Sequence, residues 1–253
     1  MNNKINYVNL GKQSTPYIKI YQKALNLFMK KGQYILGDHV KLFEKNFSKY
    51  IGTKYAVGVG SGTDALYLSL KYLNLKKTDE VITVSNSYLS TVSSIHLAGA
   101  KPVLVDVDYE TYNIDFDKIE KKITKNTKVI IPVHLCGTPA NMLRILKISR
   151  KYNLKIIEDC AQAAGAEIAK RKVGSFGFSG CFSFHPLKNL NALGDGGMIV
   201  TNNNKFYKWV LRARNNGHPD RDHCDFWSHN MRLDAIHALF LDIKLKNYEK
   251  LIQ

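Results

Sequence analysis

Residues 180–197 read GCFSFHPLKNLNALGDGG. Cys181-Phe182-Ser183-Phe184 has the alternating, aromatic-rich character of a strand with one face on a core, and Met198-Ile199-Val200 reads as a second strand. Between the two strands the sequence offers no helical segment, only a loop that holds Lys188 among proline and glycine residues. In a chain this rich in lysine, a loop lysine is ordinarily a solvated one. A lysine just beyond a strand end can instead be placed for covalent chemistry, as an amine that attacks a carbonyl.

Upstream of this stretch the pattern differs. Residues 16–50 carry helical periodicity through Tyr17, Ile20, Tyr21, Ala24, Leu25 and Phe28, then Val40, Phe43 and Phe47, with Gly32 and Gly37 between the two helices. Strand and helix signals then alternate: strands at 55–59, 80–84, 102–107, 129–134 and 154–158, helices at 63–73, 91–98, 116–123 and 142–152. Such alternation predicts an α/β fold, a mostly parallel central sheet covered by helices on both faces. Beyond 197–201, helices are expected at about 205–214 and from about 233 onward. No repeat or low-complexity segment interrupts the pattern.

Composition narrows the classes of function. The chain has 253 residues, 45% of them hydrophobic, enough for a sizeable core. Its formal charge of +16 admits an anionic ligand, but the lysines are scattered in pairs such as Lys30-Lys31 and Lys121-Lys122, with no arginine-rich block. Nucleic acid is therefore not expected as a partner. Cys136, Cys160, Cys181 and Cys224 form no metal-binding or disulfide spacing, and all but Cys224 read as small buried hydrophobes of a reducing compartment. The polar start Met1-Asn2-Asn3-Lys4-Ile5-Asn6 lacks the apolar core of a signal peptide, and no apolar run reaches the length of a membrane span, so a cytoplasmic location is expected.

Ligands of open α/β sheets sit beyond the carboxyl ends of the strands, and several pointed residues fall there. Gly58-Val59-Gly60-Ser61-Gly62-Thr63-Asp64 links a strand to a helix; its bare backbone and free N–H groups suit a phosphate, though it equally fits an ordinary turn capped by Thr63 or Asp64. Ile156-Ile157-Glu158-Asp159 ends a strand with two carboxylates on opposite faces, so at most one faces a given pocket, where it would meet a cationic nitrogen; a plain strand-end turn is the other reading. Gln162 follows in the next turn. Tyr88, after the strand at 80–84, is either an aromatic that lies on a ring or a half-buried core tyrosine. Taken in order, a glycine–threonine turn, an aspartate, an aromatic and Lys188 supply what pyridoxal phosphate requires for its phosphate, ring nitrogen, ring face and aldehyde.

The stretches VGVGSGTDAL, IIEDCAQAAGA, GSFGFSGCFSFHPLKNLNALGDGG and HNMRLDAIHA resemble the DegT/DnrJ/EryC1/StrS aminotransferases, fold-type I pyridoxal-phosphate enzymes that aminate keto-sugars carried on nucleotides. The likeness runs from about Tyr34 onward. YILGDHVKLFEKNFSKYIG and VHLCGTPANM look most like the branch that aminates C3 of dTDP-linked 3-keto-6-deoxyhexoses. The resemblance implies a three-layer αβα large domain across residues 1–253, with a helical N-terminal segment to about residue 50, and with the family's C-terminal small domain largely absent. It also implies that Lys188 takes the cofactor aldehyde, that Asp159 pairs with the ring nitrogen, and that Gln162 contacts the ring hydroxyl. Gly62, Thr63 and Ser183 would bind the phosphate and Tyr88 would stack on the ring. Asn230 would reach the cofactor of a partner subunit, making the active unit a homodimer. Glutamate is the implied amino donor, and the presence of lysine rather than histidine at 188 favours transamination over dehydration.

Asn191, His237 and the pair Ser228-His229 depart from the Gly, Gln and Gly-Tyr usual in the family. Three other readings compete. His218, His223, Cys224 and His229 superficially offer zinc ligands, but their spacing fits no common site. A nucleotide-cofactor oxidoreductase would use the 58–62 turn, yet Thr63 occupies the last glycine position of that fingerprint and Lys188 and Asp159 would be idle. A truncated paralogue that only binds the cofactor or dimerises is the non-catalytic alternative.

Overall fold

A computed structural model of the chain describes residues 7–252; the polar segment 1–6 and Gln253 lie outside the described residues. Strands β1 (Tyr55–Val59), β2 (Glu80–Val84), β3 (Lys101–Val105), β4 (Thr127–Ile131), β5 (Lys155–Asp159), β8 (Ser179–Ser183) and β9 (Gly197–Thr201) form one sheet in the order β1-β9-β8-β5-β4-β2-β3. Only β9 is antiparallel to its neighbours. A separate ribbon pairs β6 (Glu167–Ile168) with β7 (Arg171–Lys172). The helices are α1 (Leu10–Ser14), α2 (Ile18–Lys31), α3 (Gly37–Ile51), α4 (Gly62–Tyr72), α5 (Leu89–Leu97), α6 (Phe116–Ile119), α7 (Met142–Lys151), α8 (Asn204–Ala213), α9 (Ala235–Leu245) and α10 (Tyr248–Ile252).

Period-two alternation along the strands sorts their side chains into two faces. Ala56, Phe182, Phe184, Met198 and Val200 pack under α3 and α9, around an aromatic cluster in which Phe47 meets Phe182 and Phe184 edge-on at 5.0 and 5.5 Å. Ile82, Val84, Ile130 and Ile156 continue that face under α7. On the opposite face Val57, Val59, Val81, Val129, Ile131, Ile157, Cys181 and Ile199 pack under α4, α5 and α8. Each fully buried aliphatic or aromatic side chain contributes about 1.5–3 kcal/mol, so the two slabs fix the sheet's register. This is the three-layer αβα arrangement expected from the sequence.

The differences from expectation are local. The phosphate-like turn is capped by Ser61, whose Oγ accepts the Asp64 N–H at 3.0 Å, rather than by Thr63 or Asp64. The helix expected at 116–123 is a single turn, α6, continued by a tight 3-10 turn, Glu120–Lys122. Cys136 is exposed rather than buried, because the chain turns there through a left-handed conformation, φ 50°. The segments α1 and β6–β7 are too short to leave a periodic trace.

Candidate active site

The two faces decide which side chains meet. Asp159 and Ser183 lie on the α4–α5 face of β5 and β8, while Glu158 lies on the other. Both carboxylates are buried, with opposite fates. Glu158 Oε1 accepts the N–H groups of Phe176 and Gly177, each at 2.7 Å, and Oε2 accepts Gly174 N–H at 2.8 Å. His134 Nδ1 accepts the Ala140 N–H, so its proton sits on Nε2, 3.2 Å from Glu158 Oε2. Glu158 is thus a four-donor structural carboxylate.

Among the described residues the Asp159 carboxylate has two hydrogen-bond partners. Thr91 Oγ1 donates to Oδ2 at 2.8 Å and the Ala161 N–H to Oδ1 at 3.1 Å. Burial pushes its pKa up, against the pull of those two donors and of the Lys188 charge. A buried carboxylate short of donors, at the wall of a cavity, is complementary to a cationic N–H.

That cavity, about 330 Å³, is lined by Gly62, Thr63, Tyr88, Asp159, Gln162, Ser183 and Lys188, seven of the eight residues expected from the sequence. At one end is the N-terminus of α4. Its position is held by backbone contacts too close for side chains: a Cβ on Gly62 would meet Ser183 Cβ at 2.8 Å, and one on Gly197 would meet the Ser61 carbonyl oxygen at 2.2 Å. The buried pair Glu44–Arg214 fixes the preceding strand end, since Glu44 accepts the Gly58 N–H and Arg214 donates to the Gly58 carbonyl, both at 2.8 Å. Free N–H groups, Thr63 and Ser183 at a helix N-terminus make an anion cradle.

Lys188 approaches from the β8–β9 loop. Its N–H closes a turn on the His185 carbonyl at 2.8 Å, and Ala192 N–H returns to the Phe184 carbonyl at 2.8 Å. The loop is held from outside by Asn189, which donates to the Ala164 carbonyl, and by the buried Lys244, which donates to the Asn191 carbonyl at 2.9 Å. Gln162 Oε1 accepts the Cys136 N–H at 2.9 Å, which leaves its amide N–H groups as the donors facing the cavity. Tyr88 is 72% exposed at the lip of the cavity, as the residue preceding α5, and so is no core tyrosine.

Asn230 is exposed, bridges to Asn215 and does not line this cavity. Of the zinc-like cluster, His223 pairs with Asp220, His218 Nδ1 with the His223 carbonyl, and Cys224 with the carbonyls of Asn216 and Phe226. Among the described residues the ligand atoms that do converge are those of His134, Glu158 and Cys160, whose first two are already committed to the hydrogen bonds above. Sequence reading missed Thr91, Ser87 and Ser90, all at the cavity wall. Thr63 Oγ1 donates to Ser90 Oγ at 2.9 Å, tying α4 to α5. Their hydroxyls lie in the first turn after a strand end, the same kind of place that singled out Gly62 and Thr63.

A mostly parallel sheet with an anion cradle, a buried aspartate and a loop lysine around one cavity is the large-domain architecture of fold-type I pyridoxal-phosphate transferases. The chain belongs to the DegT/DnrJ/EryC1/StrS aminotransferase family, whose pattern matches residues 18–253. It is 46% identical over 241 residues to the dTDP-3-amino-3,6-dideoxy-alpha-D-galactopyranose transaminase of Aneurinibacillus thermoaerophilus, covering 95% of this chain and 66% of that one. Its fold matches DesV of S. venezuelae, solved in complex with a ketimine intermediate, with TM-score 0.95 at 34% identity, covering 98% and 67% of the two chains. NtdA from Bacillus subtilis, solved with bound cofactor PMP, matches with TM-score 0.91 at 29% identity over 99% of this chain and 57% of that one. The chain spans just under two thirds of the length of the first curated relatives it matches.

Proposed function

We propose that this chain is the cofactor-binding large domain, with its helical N-terminal segment, of a pyridoxal-phosphate-dependent aminotransferase. The reaction moves an amino group from L-glutamate to a keto-sugar carried on a nucleotide, with a dTDP-linked 3-keto-6-deoxyhexose as the acceptor, in amino-sugar and polysaccharide synthesis in the cytoplasm. The observation that carries this reading is the convergence of Lys188, Asp159 and the α4 N-terminus on one cavity. The relatives' names support a nucleotide sugar as substrate. Among the described residues, no helix is long and apolar enough to cross a membrane.

The residues present fit the cofactor. Gly62, Thr63 and Ser183 would hold its phosphate, Asp159 its ring nitrogen, Gln162 its ring hydroxyl and Tyr88 one face of its ring. When bound, pyridoxal phosphate supplies an electron sink for the carbon that loses a proton. Asp159, short of donors, would pair with the ring nitrogen and favour its protonated form. Lys188 would anchor the cofactor, and its Nζ would serve as the base that moves the proton at the donor's α-carbon. Asn230, exposed outside its own cavity, would serve the cavity of a second copy in a homodimer.

Reconstitution with pyridoxal phosphate followed by borohydride is expected to leave a stable mass addition on the peptide containing Lys188. A protein that takes up no pyridoxal phosphate, or is tagged at other lysines only, overturns the reading. A tagged protein that transfers no amino group from glutamate to any keto-sugar nucleotide is a binding module.

A further inference from the structure

We propose that Thr91 is a positioning residue for Asp159, the last link of a directed hydroxyl chain from Ser87 that holds the carboxylate ionised and in place. Thr91 is 1% exposed, in the first turn of α5. Its Oγ1 lies 2.8 Å from Asp159 Oδ2 and 2.7 Å from Ser87 Oγ. An ionised carboxylate has no proton to give, so the Thr91 hydroxyl must donate to it. That leaves the Thr91 oxygen as an acceptor, and the Ser87 hydroxyl must donate to Thr91. The direction of both bonds is therefore set by the charge at the end of the chain.

Such an O–H bond to a buried anion is of the stronger, charge-assisted kind. Besides Thr91, Asp159 has the Ala161 N–H as its only other hydrogen-bond donor among the described residues, so removing Thr91 leaves a buried charge with half its support. The titratable groups around Asp159 are Lys188 on the β8–β9 loop, His134 after β4, Cys160, Cys181 on β8, and Glu158 on the opposite face; Tyr88 precedes α5 at the cavity lip. None of them is altered by changing Thr91 or Ser87.

The proposal deepens the reading above and rests on it for the ligand's identity, but its test does not. The full chain, labelled with 13C at aspartate Cγ, is titrated before and after addition of pyridoxal phosphate, with Asp159 assigned through D159N. Without cofactor, T91V is expected to raise the Asp159 midpoint by about one to two pH units, the worth of one hydrogen bond to a charge. T91S should return it. S87A should shift it the same way by less, and should add nothing once T91V is in place, the mark of a serial chain. Melting curves identify any variant that fails to fold.

A folded T91V with an unchanged midpoint overturns the proposal, as does T91S failing to rescue or S87A adding its full shift to that of T91V. If T91V does not fold, S87A decides: an upward shift supports the chain and no shift overturns it. With cofactor bound, the absorption band of the protein is expected to change with pH at a higher midpoint in T91V than in wild type. If the wild type takes up no pyridoxal phosphate, the functional reading fails and the carboxyl titration still decides this one.

Discussion

Neighbouring carboxylates on β5 should answer the same neutralising substitution in opposite ways. In Glu158→Gln, the side-chain oxygen that remains can serve only one of the two donor pairs: Phe176 and Gly177 N–H on one side, Gly174 N–H and His134 Nε2–H on the other. The new NH2 faces the other pair. His134 cannot relieve this by changing tautomer, because its Nδ1 already accepts the Ala140 N–H. Two hydrogen bonds to a charge are lost and their donors stay buried, which costs about 3–5 kcal/mol. For a chain of this size that is roughly 6–20 °C in Tm. Asp159→Asn differs, because the Thr91 hydroxyl can rotate to accept from the new amide while Oδ1 keeps the Ala161 N–H. The buried charge is removed as well, so cofactor-free D159N should stay within about 1 kcal/mol of wild type or gain stability. Denaturant unfolding of the two variants, with and without pyridoxal phosphate, measures both. D159N should lose most of the stabilisation that cofactor gives. An E158Q protein as stable as wild type, or a D159N protein as damaged as E158Q, would refute the division of labour between the two faces.

Gly197→Ala should cost about 1–3 kcal/mol as the new methyl displaces the Ser61 carbonyl, and should weaken cofactor binding by shifting the α4 N-terminus. Gly52→Ala, where φ is +82° but no atom lies near the added Cβ, should cost about 1 kcal/mol and leave cofactor affinity intact; equal losses of affinity in equilibrium dialysis would contradict this. The raised pKa of Asp159 predicts a pH signature. The folded, cofactor-free protein holds that proton more tightly than the unfolded chain, so this contribution to stability falls as pH rises from about 4 through the raised pKa. A cationic ring N–H cancels the loss, so the rise in Tm on adding pyridoxal phosphate should be larger near neutrality than near pH 4. A constant rise across that range would show that Asp159 does not meet the cation.

Much of the fold was legible because period-two strands and helices of about ten residues leave strong local traces. Which of Glu158 and Asp159 faces the cavity came from the family resemblance and not from periodicity, since it depends on the register of β5 against β4 and β8, a long-range matter. Thr91 escaped for a similar reason: a hydroxyl in Ser87-Tyr88-Leu89-Ser90-Thr91 looks like any helix start until a carboxylate 68 residues away in sequence is beside it. Cys136 was misread as buried because its neighbours are apolar; the left-handed turn that exposes it is set by the following Gly137 and by the Cys136 N–H bond to Gln162.

The reversal of β9 explains how the lysine stretch reaches the cavity. Parallel neighbours need a crossover that takes the chain to the far edge of the sheet and back. An antiparallel strand begins at the edge where its predecessor ended, so the loop joining β8 to β9 never leaves the ligand edge. Lys188 can therefore sit on a short loop clamped at both flanks, and the start of β9 can lie against the α4 N-terminus, as Gly197 lies against Ser61 and Gly62. The missing helix between residues 184 and 197 is thus the sequence's trace of this arrangement: a helical crossover there would carry the lysine away from the cavity it shares with Asp159.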